Sequence, residues 1–247
     1  MFSEDCKLDN TRLLMFPKGC RTAYFIRREK RFLMYASMDG QEIIAHTNNT
    51  GSMLGLLRKG SRVLLSPAQN PRRKLNWTVE AMEVCDESHA FWAGVNTFVP
   101  NKLLPLLFQN KLLPWAVEYD QLKQEVACGK SRIDGCFSAE GRKPLWVECK
   151  NVTLARDHVA EFPDAVTCRG AKHLKELSER CLQGGRAAML YVVQRPDCTS
   201  FSAAYHIDPV YAAELEHAAR CGVEVHAVSV GVDEKGFSYL GAIPCRV

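Results

Sequence analysis

The chain has 247 residues, 47% of them apolar, with 32 Lys and Arg against 28 Asp and Glu. That is enough apolar material for one large core or two small ones, and no apolar run reaches the length of a membrane-spanning helix. The net charge of +4 is modest but uneven: residues 1–86 carry 14 basic against 9 acidic side chains, and residues 87–247 carry 18 against 19. The first ten residues, MFSEDCKLDN, are acidic and polar, unlike an export signal, so a soluble, non-exported protein is expected.

Short alternating stretches at 32–36, 42–46, 63–66 and 76–84 are separated by Asp39-Gly40, Lys59-Gly60 and Asn70-Pro71, which predicts a small all-β barrel in residues 1–86. Basic residues cluster there among aromatics: Arg21 to Tyr35, then Arg58 to Arg62, then Arg72, Arg73, Lys74 and Trp77. Such a surface follows a phosphate backbone and stacks bases, although the aromatics serve equally as barrel core. The Arg72-Arg73-Lys74 turn is the favoured phosphate contact, and His46 to Gly51 reads as a polar loop after a strand.

From residue 87 the pattern changes. Residues 91–101 read as extended, 102–113 as a leucine-rich helix closed by Pro114, and 162–182 as a helix with Leu174, Leu177 and Cys181 on its apolar stripe. The runs 187–193 and 223–230 read as buried strands. Between them Asp208-Pro209 is a helix start and Gly222 a helix end. The order predicts an α/β domain over 87–247.

Within it, Ser131 to Phe137 and Leu145 to Lys150 form a predicted hairpin. Alternation puts Trp146, Glu148 and Lys150 on one face and Leu145, Val147 and Cys149 on the other. Asp134 then comes beside Glu148. Two carboxylates and a lysine in this order have the spacing of a metal-dependent nuclease site, with Asp134 and Glu148 as ligands of Mg²⁺ or Mn²⁺. Lys150 orients a water or stabilises the transition state, and Glu125 is the candidate for a further ligand or base. By itself the pattern is weak, since charged residues on a hairpin's solvent face are common. Arg132, Arg169, Lys172 and His173 are the expected nucleic-acid contacts of this domain, with Arg169 and His173 gripping a phosphate. Asp164, in Pro163-Asp164, is read as a cap or brace of the following helix.

Three motifs in order, at 131–134, 147–154 and 161–174, together with His46 to Gly51, Pro71 to Lys74 and Val95 to Asn101, resemble the sugar fermentation stimulation protein A family over nearly the whole chain. The resemblance implies a cytoplasmic bacterial or archaeal protein, with an OB-like barrel followed by a restriction-endonuclease-like core of the PD-(D/E)XK type. It also implies DNA binding, with a regulatory role in sugar metabolism suggested for the family. Gly135 and Cys149 stand where a bulky apolar residue and a valine are expected, and Gly135 is expected to loosen the strand that carries Asp134.

Eleven cysteines, none spaced Cys-x2-Cys, are read as buried or idle thiols in a reducing compartment. Cys136 and Cys149, close to the site, are expected to make activity oxidation-sensitive. Two readings follow: a DNA-binding protein of low sequence specificity with a nuclease-like metal site, or an active metal-dependent DNA hydrolase. The form of DNA, single-stranded or duplex, stays open, as does RNA.

Overall fold

The computed structural model describes residues 12–85, 89–128 and 131–247; the acidic first residues lie outside them. The chain enters through β1 (Arg12–Met15) and then folds as a barrel from β2 (Arg21–Glu29), β3 (Leu33–Met38), β4 (Gln41–His46), β5 (Arg62–Pro67) and β6 (Trp77–Cys85). Asp39 and Gly40, both with left-handed φ, make the tight turn between β3 and β4. The strands run β4-β3-β2-β5-β6, and His46 pairing with Thr78 closes β4 onto β6. Ala23, Phe25, Met34, Ala36, Val63, Leu65, Val79 and Met82 fill the interior. Of the aromatics, Phe25 points inward, whereas Tyr24 and Phe32 are exposed.

Residue 86, the expected end of the first domain, lies outside the described residues, after the last residue of β6. β7 (Ala90–Gly94) pairs with β6, so the barrel's sheet runs past it, while β1 pairs with a strand more than 200 residues later.

The second domain follows as α1 (Val99–Gln109), β8 (Gln121–Cys128), β9 (Ser131–Ser138), β10 (Leu145–Val152), β11 (Leu154–Arg156), β12 (Val159–Phe162) and α2 (Cys168–Leu182). It continues with β13 (Arg186–Val193), β14 (Ser200–Ala203), α3 (Pro209–Arg220), β15 (Glu224–Val232), β16 (Gly236–Ile243) and β17 (Cys245–Arg246). Its main sheet has the order β1-β16-β15-β13-β10-β9-β8, with β10, β13 and β15 parallel, and a four-stranded sheet β11-β12-β14-β17 stands beside it. Leu103, Leu104 and Leu107 of α1 cover one face of the main sheet. Leu174 and Leu177 of α2, with Tyr211 and Leu215 of α3, cover the other. Being buried on both faces is why β13 reads as an unbroken apolar run.

Three expectations are corrected. The first helix starts at Val99, with Pro100 in its first turn, and ends at Gln109. The helix expected from Phe162 begins only at Cys168, because residues 159–162 form β12, and Thr167 caps it by accepting from the Gly170 N–H at 3.0 Å. Gly135 does not leave a gap: a Cβ there would meet Leu104 at 2.8 Å and Leu122 at 3.0 Å, so the missing side chain lets α1 and β8 pack onto β9. Asp208 caps α3 as expected, accepting from the Tyr211 N–H at 2.9 Å. No helix among the described residues is long and apolar enough to cross a membrane.

Candidate functional site

The site forms where the β9–β10 ladder opens. Backbone pairing holds from Leu145–Phe137 to Val147–Gly135. Beyond it, the Cys149 N–H donates to Asp134 Oδ2 at 2.7 Å, so a side chain takes the place of a strand carbonyl. Asp134 Oδ1 accepts from Asn101 Nδ2 at 2.7 Å, and the same amide reaches Glu125 Oε1 at 3.1 Å. Asn101 sits in the first turn of α1, so the earlier helix start is what brings it here. Glu125 stands across from Asp134 between the Gln124–Gly135 and Val126–Ile133 pairs, with a left-handed φ of 53° and a solvent-facing side chain.

Glu148 faces α2, as strand alternation requires. It is 3% exposed. Its Oε1 accepts from Lys150 Nζ at 2.5 Å and contacts His173 Nδ1, while its Oε2 is buried with no hydrogen-bond partner among the described residues. His173 Nε2 accepts from Arg169 Nε at 3.5 Å, so the imidazole carries its proton on Nδ1 and donates it to Glu148. His173 therefore braces Glu148 and is 3% exposed. The stripe Gly170, His173, Leu174, Leu177 at helical spacing carried that signal.

Burial, then the charge of Glu148, pushes the Asp134 carboxyl up to about 6, against the opposing bonds from Cys149 and Asn101. Burial also pushes Glu148 upward, but Lys150 and His173 outweigh it and hold its pKa below the usual value. Charge is thus concentrated on an acid with an unfilled lone pair. Among the described residues no three His, Cys, Asp or Glu side chains converge as a ready cage. A cation here would rest on Asp134 and Glu148, with water completing its shell, an arrangement suited to a hard oxygen-seeking ion such as Mg²⁺.

These groups line a cleft of about 720 Å³ between the domains. Arg31, Asn48, Asn49, Thr50 and Gly51 form its barrel side, and Arg132, Arg169 and Asp164 belong to the other. Arg28 holds the barrel loop by donating to Asn49 O at 2.6 Å and Gly51 O at 2.9 Å. Asp164 does not cap α2. It accepts from the Met53 N–H at 2.9 Å, its backbone carbonyl accepts from the Ser52 hydroxyl, and its carboxylate fills the space beside Gly51, tying the domains together. Arg132 and Arg169 also line a smaller depression with Lys172 and His173. Arg73 and Lys74 border a separate cleft of about 820 Å³, and Arg72 lines neither large cleft. Asn101, Arg31 and the Asn48–Gly51 loop were missed as site components, because only the tertiary fold brings them to Asp134.

The architecture is that of a two-domain protein: an OB barrel joined to an α/β domain, with a cleft of mixed charge at the junction. Residues 26–95 match the family model for the SfsA N-terminal OB domain, and residues 98–236 match that for the sugar fermentation stimulation protein RE domain. The chain belongs to the sugar fermentation stimulation protein family. A homolog from Maridesulfovibrio salexigens is 48% identical over 95% of this chain and 98% of its own length, and one from Lawsonia intracellularis is 44% identical over 94% and 96%. The structure of Pyrococcus furiosus SfsA in complex with Ca²⁺ has the same fold, with a TM-score of 0.86 and 24% identity over 96% of this chain and 99% of that one.

Proposed function

We propose that this protein binds DNA and hydrolyses its phosphodiester backbone with the aid of Mg²⁺ or Mn²⁺ held by Asp134 and Glu148. The observation that carries this reading is Glu148 Oε2, a buried carboxylate oxygen with no hydrogen-bond donor among the described residues, beside a second acid whose ionisation burial disfavours. Two neighbouring acids that face a polyanion repel it unless a cation intervenes. The Ca²⁺ of the Pyrococcus furiosus relative, another hard divalent ion, supports the choice of ligand chemistry. When bound, such a cation supplies Lewis-acid stabilisation of phosphoryl charge and acidifies water.

The chain's own residues do the rest. His173 fixes the rotamer of Glu148, and Asn101 and the Cys149 N–H fix that of Asp134. Lys150, held by Glu148, presents its ammonium to the cleft as the group that positions the attacking water, with Glu125 nearby as a base open to solvent. Arg132 and Arg169 contact the phosphates at the cleft, with Lys172 beside them, and Arg72, Arg73 and Lys74 those farther along the strand.

A second reading, binding without hydrolysis, is favoured by one feature: Lys150 is already engaged by Glu148 at 2.5 Å. The test is cleavage of labelled single-stranded, duplex and branched DNA, with an RNA arm, in Mn²⁺, Mg²⁺ or EDTA. The parent is compared with Asp134→Ala and Lys150→Ala at matched binding. Metal-dependent cutting lost in both variants supports hydrolysis at this site; binding with no cutting of any substrate supports the second reading.

A further inference from the structure

Of the motif Val95 to Asn101 the metal site uses only Asn101, and Phe98 stands out among the rest. Phe98 is 62% exposed and lines both large clefts, the one with Asp134 and Glu148 and the one with Arg73 and Lys74. An isolated exposed apolar side chain is ordinary on a protein surface, so exposure alone says little. What sets Phe98 apart is its mounting. The Phe98 N–H donates to Asn96 Oδ1 at 3.0 Å, which also accepts from Asn48 Nδ2 at 2.6 Å. Asn96 Nδ2 donates to Glu80 Oε2 at 2.7 Å, and Ser66 donates to the other oxygen of Glu80 at 2.6 Å. A buried, satisfied polar chain thus runs from the barrel to the backbone of Phe98, and networks of this kind hold geometry firmly.

The result is an aromatic ring projecting into solvent from a rigid base, between the carboxylate cleft and a basic one. On the carboxylate side, the 72% exposed Val166 supplies a second exposed apolar surface. A backbone drawn toward the carboxylates must turn its bases elsewhere, and a fixed aromatic face stacks any base regardless of sequence. We infer that Phe98 is a base-stacking residue and that the preferred substrate is an unpaired DNA strand, threaded from the carboxylate cleft across Phe98 into the cleft of Arg73 and Lys74. This rests on the phosphodiester reading above and deepens it by naming the form of the DNA. A paired base has its faces occupied by its neighbours, so a duplex gains little from Phe98 unless it frays.

The test is binding of labelled single-stranded and duplex DNA in Ca²⁺ by the parent, Phe98→Ala, Phe98→Leu and Phe98→Trp, with thermal unfolding confirming that each variant folds. 2-Aminopurine fluorescence reports the stack. Phe98→Ala is expected to weaken single-strand affinity roughly 5- to 150-fold, the loss of one stacked base, and to abolish 2-aminopurine quenching. Phe98→Leu, apolar but without a π face, should fall with it, Phe98→Trp should restore both signals, and duplex affinity should stay unchanged. Parent-like single-strand affinity in Phe98→Ala or Phe98→Leu overturns the inference, as does an equal loss on duplex. Metal-dependent cutting that survives alongside such a result leaves the hydrolase reading standing. A parent that binds no DNA of either form overturns both.

Discussion

Glu80 and Glu148 are both buried, and each lines one of the two clefts that meet at Phe98. Glu80 has both oxygens filled, by the Ser66 hydroxyl and the Asn96 amide. Glu148 has one oxygen crowded by Lys150 and His173 and the other left bare. The same side chain at similar depth therefore does different work: Glu80 completes a filled network that holds backbone in place, and Glu148 keeps acceptor capacity in reserve. Burial alone does not mark a functional acid in this protein, whereas an unfilled lone pair beside a second acid does.

The sharpest way to break this distinction is to neutralise each glutamate. Glu148→Gln should lower metal-dependent cleavage on the order of 10²- to 10³-fold, the scale for removing one transition-state electrostatic partner. Glu80→Gln should leave turnover intact and cost about 1–3 kcal/mol of stability, because one donor pair becomes mismatched. Cleavage rates paired with denaturant unfolding check both; equal losses of turnover in two well-folded variants would erase the contrast.

Asp134 sharpens it from the stability side. Folding raises its pKa from 3.8 to about 6, so the metal-free protein gains from keeping it protonated. That gain is fully present below 3.8 and is lost as pH rises through about 6. Asp134→Asn in EDTA should therefore be more stable than the parent by about 1–3 kcal/mol at pH 8, with the advantage shrinking as pH falls through 6. A divalent ion should raise the parent's melting temperature and leave that of the variant unchanged.

For the basic cleft the expected effect is smaller and non-catalytic. Replacing Arg73 and Lys74 by Ala should flatten the dependence of log affinity on log salt by about 0.7–0.9 per lost phosphate contact, without changing single-turnover cutting at saturating protein. Fluorescence titrations across a salt series give the slope directly.

What could be read from the chain followed from local rules. Alternation in 145–150 placed Glu148 and Lys150 on one face, and the apolar run at 187–193 marked a strand covered on both sides. Local rules failed where distant partners decide. β1 takes its place only because β16 offers an edge, and β12 is a four-residue strand that pairs with β14, so its residues read as the start of the next helix. His173 is the instructive case: its chemistry suggested phosphate contact, and its position on the inward stripe of α2 sets it against Glu148. Asn101 closes a family motif, but no local rule gives its role, which depends on how α1 lies across β9.

The smallest expected effect concerns the thiols. The sequence suggested that Cys149 and Cys136 make activity oxidation-sensitive, yet Cys149 is packed into the core beneath α1 and burial pushes the Cys136 thiol up. Burial, aided by Asp197, pushes Cys198 up to about 12, and burial takes Cys245 to about 11. Nucleophilic attack requires the thiolate and an open approach, and these four have too little of one or the other. Cys85 and Cys168, in contrast, are exposed. Among the described residues, a maleimide at pH 8 should therefore modify Cys85 and Cys168 first, as read by peptide mass spectrometry, with metal-dependent cleavage unchanged. Early labelling of Cys149 with loss of cutting would mean that the carboxylate cleft opens far enough to expose the strand beneath it, and that Glu148 is not held as rigidly as Glu80.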